Sequence, residues 1–568
     1  MSAPMMLAFL FFACTAALAQ QPPDAAPPPP VALNVRDFGA VGDAKADDTA
    51  AIQKALDQCA KGGGGIVWAP RGNYRIATHI TIPASVTLQG VWTIPTAWTQ
   101  MQGTTLLAEE GRGTETGPAF ITLAPNATVK GLTIFYPAQD QQSIQPYPWC
   151  VACAGGDNAS IVDVLMVNPF KAVDFATNAS GRHYIRNLYG QPLRIGISID
   201  KCYDVGRIEN VHFWPFWGWD GKPAIQEYMR KNAVSFIFGR TDWEYVLNTF
   251  SFGYKVGYQF IQTKDGGCNG NFLGIGADAT NTAVQVDGCQ GIGLLITNGE
   301  FVSFLDPDPT EVVVSPTNTG LVQFSNCAFW GPAERIASLK GSGSVSFTQC
   351  HFMHWDRANK GTAAIDCEGG SLTVSSSRFS AKSPGISLGP EVSTATIFGN
   401  TFAGRQQVSN ESKGDVQVGL NASLIQPIKA EAGETIVDEA DGKPGFATTG
   451  AWIAVEDPGY LGGRAIWAAK GTGDATATWK TRVPKAGRYE VSVYIGPDPN
   501  HDHAKDATYT VTTADGPKTA HLDQTTDTGK WRLLGAFSFT PELDATVTLS
   551  NAAGANVIAD AVKWRRVR

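Results

Sequence analysis

The chain has 568 residues, with 44 Lys and Arg against 52 Asp and Glu, which gives a formal net charge of −8. This balance argues against tight, sequence-independent binding to nucleic acid, because such binding needs a strongly basic surface. Charged residues make up only 17% of the chain, while Gly numbers 61 and Trp 15. This composition is typical of turn-rich β structure and excludes a coiled coil, a disordered chain and a helical bundle.

The first 19 residues are predicted to be a signal peptide. Residues 7–18 form an apolar run that is too short to span a bilayer, and Ala17-Leu18-Ala19 supplies a small-x-small cleavage site. No Lys or Arg precedes the run, which is atypical. The alternative is a buried N-terminal helix, but the proline-rich spacer of residues 20–32 would isolate it. We therefore expect a secreted or periplasmic protein that has no membrane contact after cleavage.

A short helix follows the spacer. Asp48 is a good N-cap, residues 49–56 have helical character, and the glycines at 62–65 end the helix. From there to about residue 420, short apolar strands alternate with Gly and Asn turns. The remaining helical pattern in this stretch lies near residues 225–231. The pattern predicts a β domain with one capping helix.

The strands contain a repeat. Six segments superpose without gaps, and from Phe301 onward their last residues are 28, 23, 27 and 23 positions apart. A period in the twenties without a helical pattern or a Leu-x-x-Leu-x-Leu framework favours stacked parallel coils. Each Phe is predicted to stack on the next, and Asn210, Asn298 and Asn326 are predicted to form a side-chain ladder at a turn. The six segments end at Phe213, Phe301, Phe329, Phe352, Phe379 and Phe402.

The stretch NVRDFGAVGDAKADDTAAIQKAL, followed by GGGGIVWAPRGNYRI and the coils, resembles the pectate lyase/rhamnogalacturonase superfamily of right-handed parallel β-helices. The resemblance covers roughly residues 33–422. It is quite specific for the fold and far less specific for the reaction, since the superfamily includes glycoside hydrolases, polysaccharide lyases, epimerases and phage-type glycan-binding spikes. Asp47 and Asp48 belong to the capping motif, so we expect structural roles for them.

Residues 423–568 have a different pattern, with alternating strands at 475–481, 487–495, 507–513, 531–539 and 545–550. This pattern predicts an antiparallel β-sandwich. The runs GRYEVSVYIGPDP and VIADAVKW resemble the golvesin/xanthan-lyase C-terminal carbohydrate-binding-like domain. That resemblance implies an accessory glycan-binding role, and the alternative is a folded appendage that caps or anchors the β-helix. The predicted fold class is therefore all-β, a right-handed parallel β-helix followed by a β-sandwich.

The best-known catalytic motifs of the superfamily are absent. Polygalacturonase-like hydrolases carry Asn-Thr-Asp, Gly-His-Gly and Arg-Ile-Lys, and pectate lyases carry Arg-x-Pro-x-x-Arg. None of these occurs here, and the single Asp-Asp pair lies in the capping motif. The resemblance therefore transfers no catalytic residues, and ordinary pectin chemistry is not expected.

An unusual insertion follows the coil that ends at Phe213. It begins at Trp214, includes Trp217, Trp219 and Asp220, and continues through Glu227. Sugars present flat C–H faces that stack on such rings, while nearby polar groups bind hydroxyls. We interpret the insertion as a sugar platform, with a hydrophobic plug or a subunit contact as the alternative.

Three acidic residues are predicted to converge on one face of the next coil. Asp242 and Glu244 are two apart on a strand and therefore point to the same side. If Asn210 and Asn248 are equivalent positions, Asp204 aligns with Asp242 in the neighbouring coil. Glycosidic cleavage needs such a group, with one protonated acid for the leaving oxygen and one carboxylate as nucleophile or base. The alternative is that all three are solvated wall residues.

Lyase chemistry would use different groups. A cation must neutralise a uronate and a base must take its C5 proton, and Arg240, Lys264 and Tyr245 are candidates. Asp204 and Asp242 would then hold Ca²⁺. The acidic face disfavours a polyanionic substrate unless calcium is present, so we prefer a hydrolase, which requires no cofactor.

No metal site is predicted from the Cys and His residues. Cys150-x-x-Cys153 lacks partner ligands, and the two His of the 501–503 loop are expected to be solvated. Core thiols stacked in adjacent coils are the favoured interpretation of the other cysteines, with a disulfide between neighbours left open. These pairs are Cys327 with Cys350 and Cys268 with Cys289.

The leading hypothesis is an exported glycoside hydrolase acting on a polysaccharide or oligosaccharide. Asp242, Glu244 and Asp204 would supply the acid and the nucleophile or base, with Asp220 in reserve. The runners-up are a calcium-assisted polysaccharide lyase or epimerase and a non-catalytic glycan-binding protein. No motif supports oligomerisation. The residues assigned to substrate binding are Trp214, Trp217, Trp219, Arg240, Trp243, Tyr245, Glu227 and Lys264.

Overall fold

The computed structural model describes residues 31–96, 102–217, 223–404, 407–424, 430–442, 444–455, 459–460, 465–498 and 502–567. The predicted signal peptide and nearly all of the spacer lie outside the described residues. Within the described ranges, no helix is both long and apolar enough to cross a membrane. The predicted all-β fold class is confirmed: a β-solenoid of about 15 turns precedes a set of antiparallel sheets.

The described residues contain two α-helices, which we name α1 (Thr49–Lys61) and α2 (Pro223–Asn232). Single turns of 3-10 helix occupy Val35–Phe38 and Glu439–Asp441. Both α-helices had been anticipated by the sequence pattern, and both extend a few residues beyond their predicted ends. α1 covers the first turns of the β-helix.

Asp48 is the residue before α1, but its carboxylate does not cap the helix. It accepts the N–H groups of Val41 at 2.6 Å and Gly42 at 3.1 Å, while Asp47 accepts the N–H of Thr49 at 3.1 Å. The two aspartates therefore join the chain before α1 to the helix start. This agrees with the predicted structural role of the capping motif.

The described strands of the β-helix form one continuous parallel sheet of 37 strands, whose pairings follow three faces that we call the first, second and third sheets. The first sheet contains Ile80–Ile82, Ile121–Leu123, Trp149–Cys153, Lys171–Phe175, Ile195–Ile199, Val234–Phe238, Val256–Phe260, Thr282–Val286, Thr310–Val314, Arg335–Leu339, Val408–Asn410 and the first parts of Ile365–Ser375 and Ile386–Phe398. The second contains Val31–Asn34, Gly65–Ala69, Val86–Gly90, Thr128–Phe135, Ser160–Val167, Tyr184–Gln191, Gly206–Phe213, Glu244–Leu247, Cys268–Leu273, Cys289–Thr297, Leu321–Ser325, Ser344–Thr348, Asp415–Gly419 and the last parts of the two long strands just named. The third contains Asp43–Asp47, Gly72–Ile76, Thr104–Ala108, Phe250–Phe252, Gly276–Thr280, Glu300–Ser303, Ala328–Phe329, His351–Phe352, Arg378–Phe379, Thr401–Phe402, Ala422–Ser423 and the ends of the four strands that begin at Thr128, Ser160, Tyr184 and Gly206.

The repeated Phe side chains form a continuous stack inside the helix. The ring centroids of successive members lie 5.2, 5.4, 4.6 and 4.4 Å apart from Phe301 to Phe402. All are buried, as expected where alternate side chains of each strand point inward. Such a column gives each turn nearly the same inward cross-section, which keeps the strands in register. The predicted stacking is confirmed.

The predicted asparagine ladder is present in two separate pieces. The Asn326 amide donates to Asn298 Oδ1 at 2.7 Å, and the Asn210 amide donates to Asn187 Oδ1 at 2.7 Å. All four residues have φ between +50° and +55°, a left-handed conformation that Asn tolerates well. Gly274 occupies the equivalent position next to Asn298 and has no side chain to continue the ladder.

The C-terminal region forms three antiparallel sheets with their own core. The four-stranded sheet has the order Glu434–Asp438, Ala561–Arg566, Gly487–Ile495, Lys530–Phe539. The five-stranded sheet has the order Phe446–Thr449, Thr476–Thr481, Ala545–Ser550, Ala507–Thr513, Gly516–Leu522. The three-stranded sheet has the order Ile453–Ala454, Ile466–Ala468, Val557–Ala559. Trp479 and Trp564 lie fully buried in this core. The five predicted strands are present, whereas Gly516–Leu522 and Ala561–Arg566 were not predicted.

The nine described cysteines are all free and buried. Cys268 pairs with Cys289 in the register of the second sheet, and Cys327 and Cys350 also occupy equivalent positions in adjacent turns. The interpretation as stacked core thiols is confirmed for these four residues.

Candidate functional site

The two carboxylates that are two residues apart do not share a face. Asp242 is exposed, whereas Glu244, the first residue of its strand, is fully buried inside the β-helix. The prediction assumed an extended backbone, but Trp243 between them has a φ of +68°. This left-handed residue breaks the two-residue alternation of a strand. The predicted convergence of Asp242 and Glu244 on the outer face is therefore wrong.

Asp204 lies level with Asp242, as predicted, because Gly206 pairs with Glu244 in the second sheet. However, the Asp204 carboxylate is 3.3 Å from Arg182 Nη1, and Arg182 also contacts a second aspartate. The two side chains are 51% and 47% exposed. A solvated Asp–Arg pair does not provide the two opposed, uncompensated carboxyl groups that glycosidic cleavage requires.

The ion pair between Asp204 and Arg182 also argues against the calcium site predicted at Asp204 and Asp242. Ca²⁺ needs six to eight oxygen ligands, several of them carboxylates. The Arg182 guanidinium already lies against the Asp204 carboxylate, and Asp242 adds one exposed carboxylate beside it. Asp204 and Asp242 therefore do not fit a calcium ion, and we derive no chemical step through one.

Arg240 and Lys264 lie near this surface but are held by local partners. The Arg240 guanidinium lies 5.6 Å from the centre of the Tyr203 ring, and its backbone N–H donates to Asp200 Oδ1 at 2.6 Å. Lys264, 83% exposed, pairs with Asp265 at 3.1 Å. Both cations are therefore engaged by neighbouring side chains at this surface.

Trp243 and Tyr245 are both half-buried. The Trp243 N–H donates to Asn269 Oδ1 at 2.6 Å, which holds the left-handed turn. Tyr245 pairs with Asn271 in the register of the second sheet. Both residues therefore belong to the wall of the helix next to the Asp204–Arg182 pair.

The tryptophan insertion packs against the outer face of the third sheet. Trp217 is only 7% exposed, and its ring lies 5.4 Å from Tyr189 and 5.2 Å from His212. Its indole N–H donates to the His212 carbonyl at 3.1 Å. Trp214 is partly buried, 6.1 Å from Trp217. Because Trp217 is buried, it fits the hydrophobic-plug alternative and not an open sugar platform. We name Trp214, Trp217, Tyr189 and His212 the tryptophan plug.

Of the three further residues of the predicted site, the structure describes Glu227. Glu227 lies on α2, is 67% exposed and pairs with Lys231 one helical turn later at 2.6 Å. Trp219 and Asp220 lie outside the described residues. The predicted roles of Asp220 as a reserve carboxylate and of Trp219 as a stacking ring therefore stay predictions.

The predicted carboxylates and the tryptophan plug lie at opposite ends of one strand. Asp204 precedes Gly206–Phe213, and Trp214 directly follows this strand, which has eight residues and a bend at Asn210. At about 3.3 Å per residue the strand alone contributes more than about 20 Å of backbone. The structure therefore does not bring the two halves of the sequence-predicted site together.

A different group of side chains lies together on the outer face of the first sheet. We name Lys171, Glu115, Trp149, Arg194 and Tyr228 the lysine cluster. Lys171 pairs with Trp149 in the sheet register, and its Nζ lies 5.1 Å from the centre of the Trp149 ring. Nζ donates to the Glu115 carbonyl at 2.8 Å and lies 3.8 Å from the Glu115 carboxylate. Only 11% of the Lys171 side chain is exposed.

The sequence of this strand explains why a lysine is desolvated there. The residues on either side of Lys171, Phe170 and Ala172, pack in the core, so Lys171 points outward by alternation. The segment that carries Glu115 covers it. Burial lowers the pKa of the Lys171 ammonium, while the negative charges of Glu115 and Asp174 oppose this shift.

Tyr228 and Arg194 complete the cluster from two other elements. α2 buries Ile225 and Met229 against the core, and Tyr228 on the same helix lies 6.4 Å from the Phe170 ring. Burial raises the pKa of the Tyr228 hydroxyl, and the nearby Arg194 opposes that shift. The cluster thus places a desolvated amine, a phenol, a guanidinium and an indole on one outer surface.

A polar cleft of about 290 Å³ lies further along the first sheet. Burial raises the pKa of the Asp366 carboxyl there, and the negative charge of Glu368 adds to the shift. Residues that line it include Arg335, Lys360, Asp366, Ser387 and Ser409.

Sequence reasoning missed the lysine cluster. The available signal was a Lys at the start of an otherwise apolar strand, in the run Phe170-Lys171-Ala172-Val173. The residues that cover this Lys come from positions 115, 149, 194 and 228, which no local pattern connects.

Two family models match the chain. Residues 32–210 match rhamnogalacturonase A/epimerase, pectate lyase-like, and residues 435–566 match the Golvesin C-terminal domain. Both resemblances inferred from the sequence are therefore confirmed. The N-terminal fragment of bacteriophage phi29 gene product 12 has a similar fold, with a TM-score of 0.51 at 15% identity, over 69% of this chain and 71% of that one.

Short segments are also similar to two proteins of Azotobacter vinelandii. Alginate lyase 7 is 59% identical over 44 residues, which cover 8% of this chain and 5% of that protein. The mannuronan C5-epimerase AlgE3 is 57% identical over 44 residues, which cover 8% of this chain and 2% of the epimerase. The matched segments thus span a small part of either relative.

Proposed function

We propose that this chain, in which a pectate lyase-like β-helix precedes a Golvesin C-terminal domain, is an exported polysaccharide lyase or C5-epimerase that acts on a uronate-containing glycan. The observation that carries the proposal is the desolvated Lys171 ammonium, held against Glu115 and Trp149. The Arg194 charge acts on both Lys171 and Tyr228, and Arg194 Nη1 donates to the Asn232 carbonyl at 2.6 Å. The names of the alginate lyase and the mannuronan epimerase support the same class of chemistry. The hydrolase favoured by the sequence loses its support because Glu244 lies in the core.

Lyases and epimerases of uronates share a first step, the removal of the C5 proton next to the carboxylate. Arg194 would bind and neutralise that carboxylate, since a guanidinium suits its planar geometry. Lys171 would take the C5 proton on Nζ, because burial favours its neutral amine form. The Trp149 ring would stack against the sugar.

The two reactions differ in the second step. In a lyase the C5–H electron pair forms the C4–C5 double bond, the C4–O4 bond breaks, and Tyr228 Oη donates its proton to the leaving oxygen. In an epimerase Tyr228 Oη donates its proton to C5 from the side opposite to Lys171, and no glycosidic bond breaks. The raised pKa of Tyr228 keeps the hydroxyl protonated until this step.

The test is a panel of uronate and neutral polysaccharides incubated with purified protein in heavy water, with and without a chelator. We expect either ultraviolet absorbance from the unsaturated product or deuterium at C5 without chain cleavage. The first result identifies a lyase and the second an epimerase. New reducing ends without ultraviolet absorbance would instead support a hydrolase, and a glycan that is bound but unchanged would support a binding protein.

Matched variants locate the activity. Lys171→Met keeps the aliphatic length of the side chain and removes the amine, so the activity should disappear. Lys255→Met changes an exposed lysine near the same sheet and should leave the rate unaltered. Equal loss in both variants would contradict the placement of the base.

A further inference from the structure

Three potential metal ligands meet inside the β-helix, away from the lysine cluster. His183, Cys202 and Glu244 come from three consecutive turns at the start of the second sheet, and each is 0% exposed. One ligand atom from each lies within 4.8 Å of the others. None of the three takes part in the proposed uronate chemistry.

The imidazole of His183 is oriented as a metal ligand would be. Nδ1 lies 2.8 Å from the carbonyl oxygen of Ser180, so it must carry a hydrogen and donate it. Nε2 therefore faces Glu244 Oε1, 2.9 Å away. Metal-ligating histidines usually donate the second ring N–H to a carbonyl or a carboxylate in this way.

The Glu244 carboxylate has one unsatisfied oxygen. Oε2 is buried and has no hydrogen-bond partner among the described residues. Buried polar atoms without partners are rare and call for an explanation, such as an ion that completes the site. A metal ion between the three side chains would give this oxygen a ligand bond.

The chain leaves space for the three side chains to meet. Gly206 lies in the turn between those of His183 and Glu244, and it pairs with Glu244 in the second sheet. A Cβ added at Gly206 would clash with both the Glu244 carboxylate and the His183 ring. A glycine at this position allows side chains from the turns on either side to approach each other.

We propose that His183 Nε2, Cys202 Sγ and the Glu244 carboxylate bind one divalent transition-metal ion of the zinc class in the core of the β-helix. Thiolate, imidazole and carboxylate are zinc ligands, and the thiolate disfavours Ca²⁺ and Mg²⁺. The thiolate and carboxylate together balance the two positive charges. Binding releases the Cys202 thiol proton and the proton shared by His183 and Glu244, so two protons leave as three ligand bonds form.

The competing arrangement is a metal-free His183–Glu244 ion pair. Burial acts to lower the pKa of His183, but the Glu244 charge and the hydrogen bonds that His183 makes with Glu244 and Cys202 outweigh it and raise the pKa. The ion pair uses one carboxylate oxygen, and the Cys202 thiol then donates to the Asp204 carbonyl at 2.7 Å instead of binding a metal. The two arrangements therefore differ in their dependence on Cys202.

The experiment uses the full chain, unfolded with chelator and refolded with Zn²⁺ or Co²⁺, since a buried site must load during folding. We expect one metal ion per chain by elemental analysis and a thiolate-to-cobalt charge-transfer band in the absorption spectrum. Cys202→Ser should lose the band and the bound metal. Cys350→Ser changes another buried core thiol, which contacts Cys327, and should keep both.

A second measurement protects the test against misfolding of the variant. The unmodified chain refolded with zinc should have a higher Tm than the chain refolded with chelator, because ligands bound to the native state stabilise it. Far less than one metal ion per chain, no cobalt band and equal Tm values would overturn the proposal and support the ion pair. Equal metal content in the Cys202→Ser and Cys350→Ser variants would also overturn it.

Discussion

The tryptophan plug and the lysine cluster both contain aromatic rings on the outer surface of the β-helix, yet they differ in what they bury. In the plug, the Trp217 ring packs on Tyr189 and His212, and its N–H is bonded. In the lysine cluster, the Trp149 ring lies 5.1 Å from the Lys171 ammonium, and only 11% of the Lys171 side chain is exposed. Ring packing accounts for the burial of Trp217, whereas the lysine cluster holds a charge at a cost in desolvation.

This difference shows how a functional surface can be recognised in a β-helix. Aromatic residues alone indicated a sugar platform at the insertion, but rings that pack on each other leave no face for a ligand. A desolvated charge next to groups of matching reactivity is a stronger indication of chemistry. The following predictions test whether the two surfaces are separable.

The largest effect is expected for Lys171→Met. Removal of a general base typically lowers kcat by about 10²- to 10⁴-fold, so the variant should lose at least about 100-fold in turnover of the uronate substrate. Steady-state kinetics on the substrate found in the panel would measure this. Asp242→Asn, which changes an exposed carboxylate, should retain full activity. Loss in Asp242→Asn instead would restore the carboxylate site predicted from the sequence.

Trp217→Ala should mainly affect stability. Truncation of a buried Trp creates a cavity, and we expect the free energy of unfolding to fall by about 3 kcal/mol. Denaturant titration followed by tryptophan fluorescence and circular dichroism would measure it. Trp330→Ala, at a 39% exposed position, should cost well under half of that. A change in kcat per folded molecule of Trp217→Ala would show that the plug and the lysine cluster are coupled.

Glu115→Gln should change the pH dependence of the reaction. The Glu115 charge raises the pKa of Lys171, so its removal lowers that pKa further and moves the rising limb of kcat/KM to lower pH. The limb rises with pH because the neutral amine is the base. Glu110→Gln, on the same segment but paired with His79, should leave the limb in place. A shift to higher pH would show that Lys171 is not the titrating base.

The smallest effect is expected for Asp366→Asn in the polar cleft. Burial raises the folded-state pKa of Asp366 above its ordinary value of 3.8. A raised pKa contributes stability below pH 3.8 that is lost as pH rises through the folded pKa. The variant should therefore be more stable than the native chain at pH 7, by less than about 1 kcal/mol, with the gain vanishing in acid. Thermal unfolding at both pH values, with exposed Asp415→Asn as control, would measure it.

The repeat determined what could be predicted about the fold. The spacing of the Phe residues required equivalent inward positions, and the stack from Phe301 to Phe402 follows from it. The asparagine ladder was predictable from the turn position but not its interruption, because Gly274 replaces an amide at one turn. The regular strands are therefore visible in the sequence as a repeat. A single turn position that departs from the repeat is not predicted by it.

The site was less predictable because single backbone angles and distant segments decide it. The left-handed φ of Trp243 turns Glu244 into the core, and alternation counted along the chain cannot reveal that. The burial of Lys171 depends on Glu115, which is 56 residues away in the chain. Periodicity reports which face a residue occupies, but not which loop later covers it.

Because the stacked turns keep a constant register, the β-helix could be shortened or lengthened by whole turns. Leu321 pairs with Ser344, so residues 321–343 form one complete turn whose removal would join equivalent positions. Because each turn contacts mainly its neighbours, the change would leave the upstream turns intact. Strand spacing is about 4.8 Å, so each inserted or deleted turn would move the C-terminal sheets by that step relative to Lys171. The number of turns in the β-helix thus sets how far the C-terminal sheets lie from the lysine cluster.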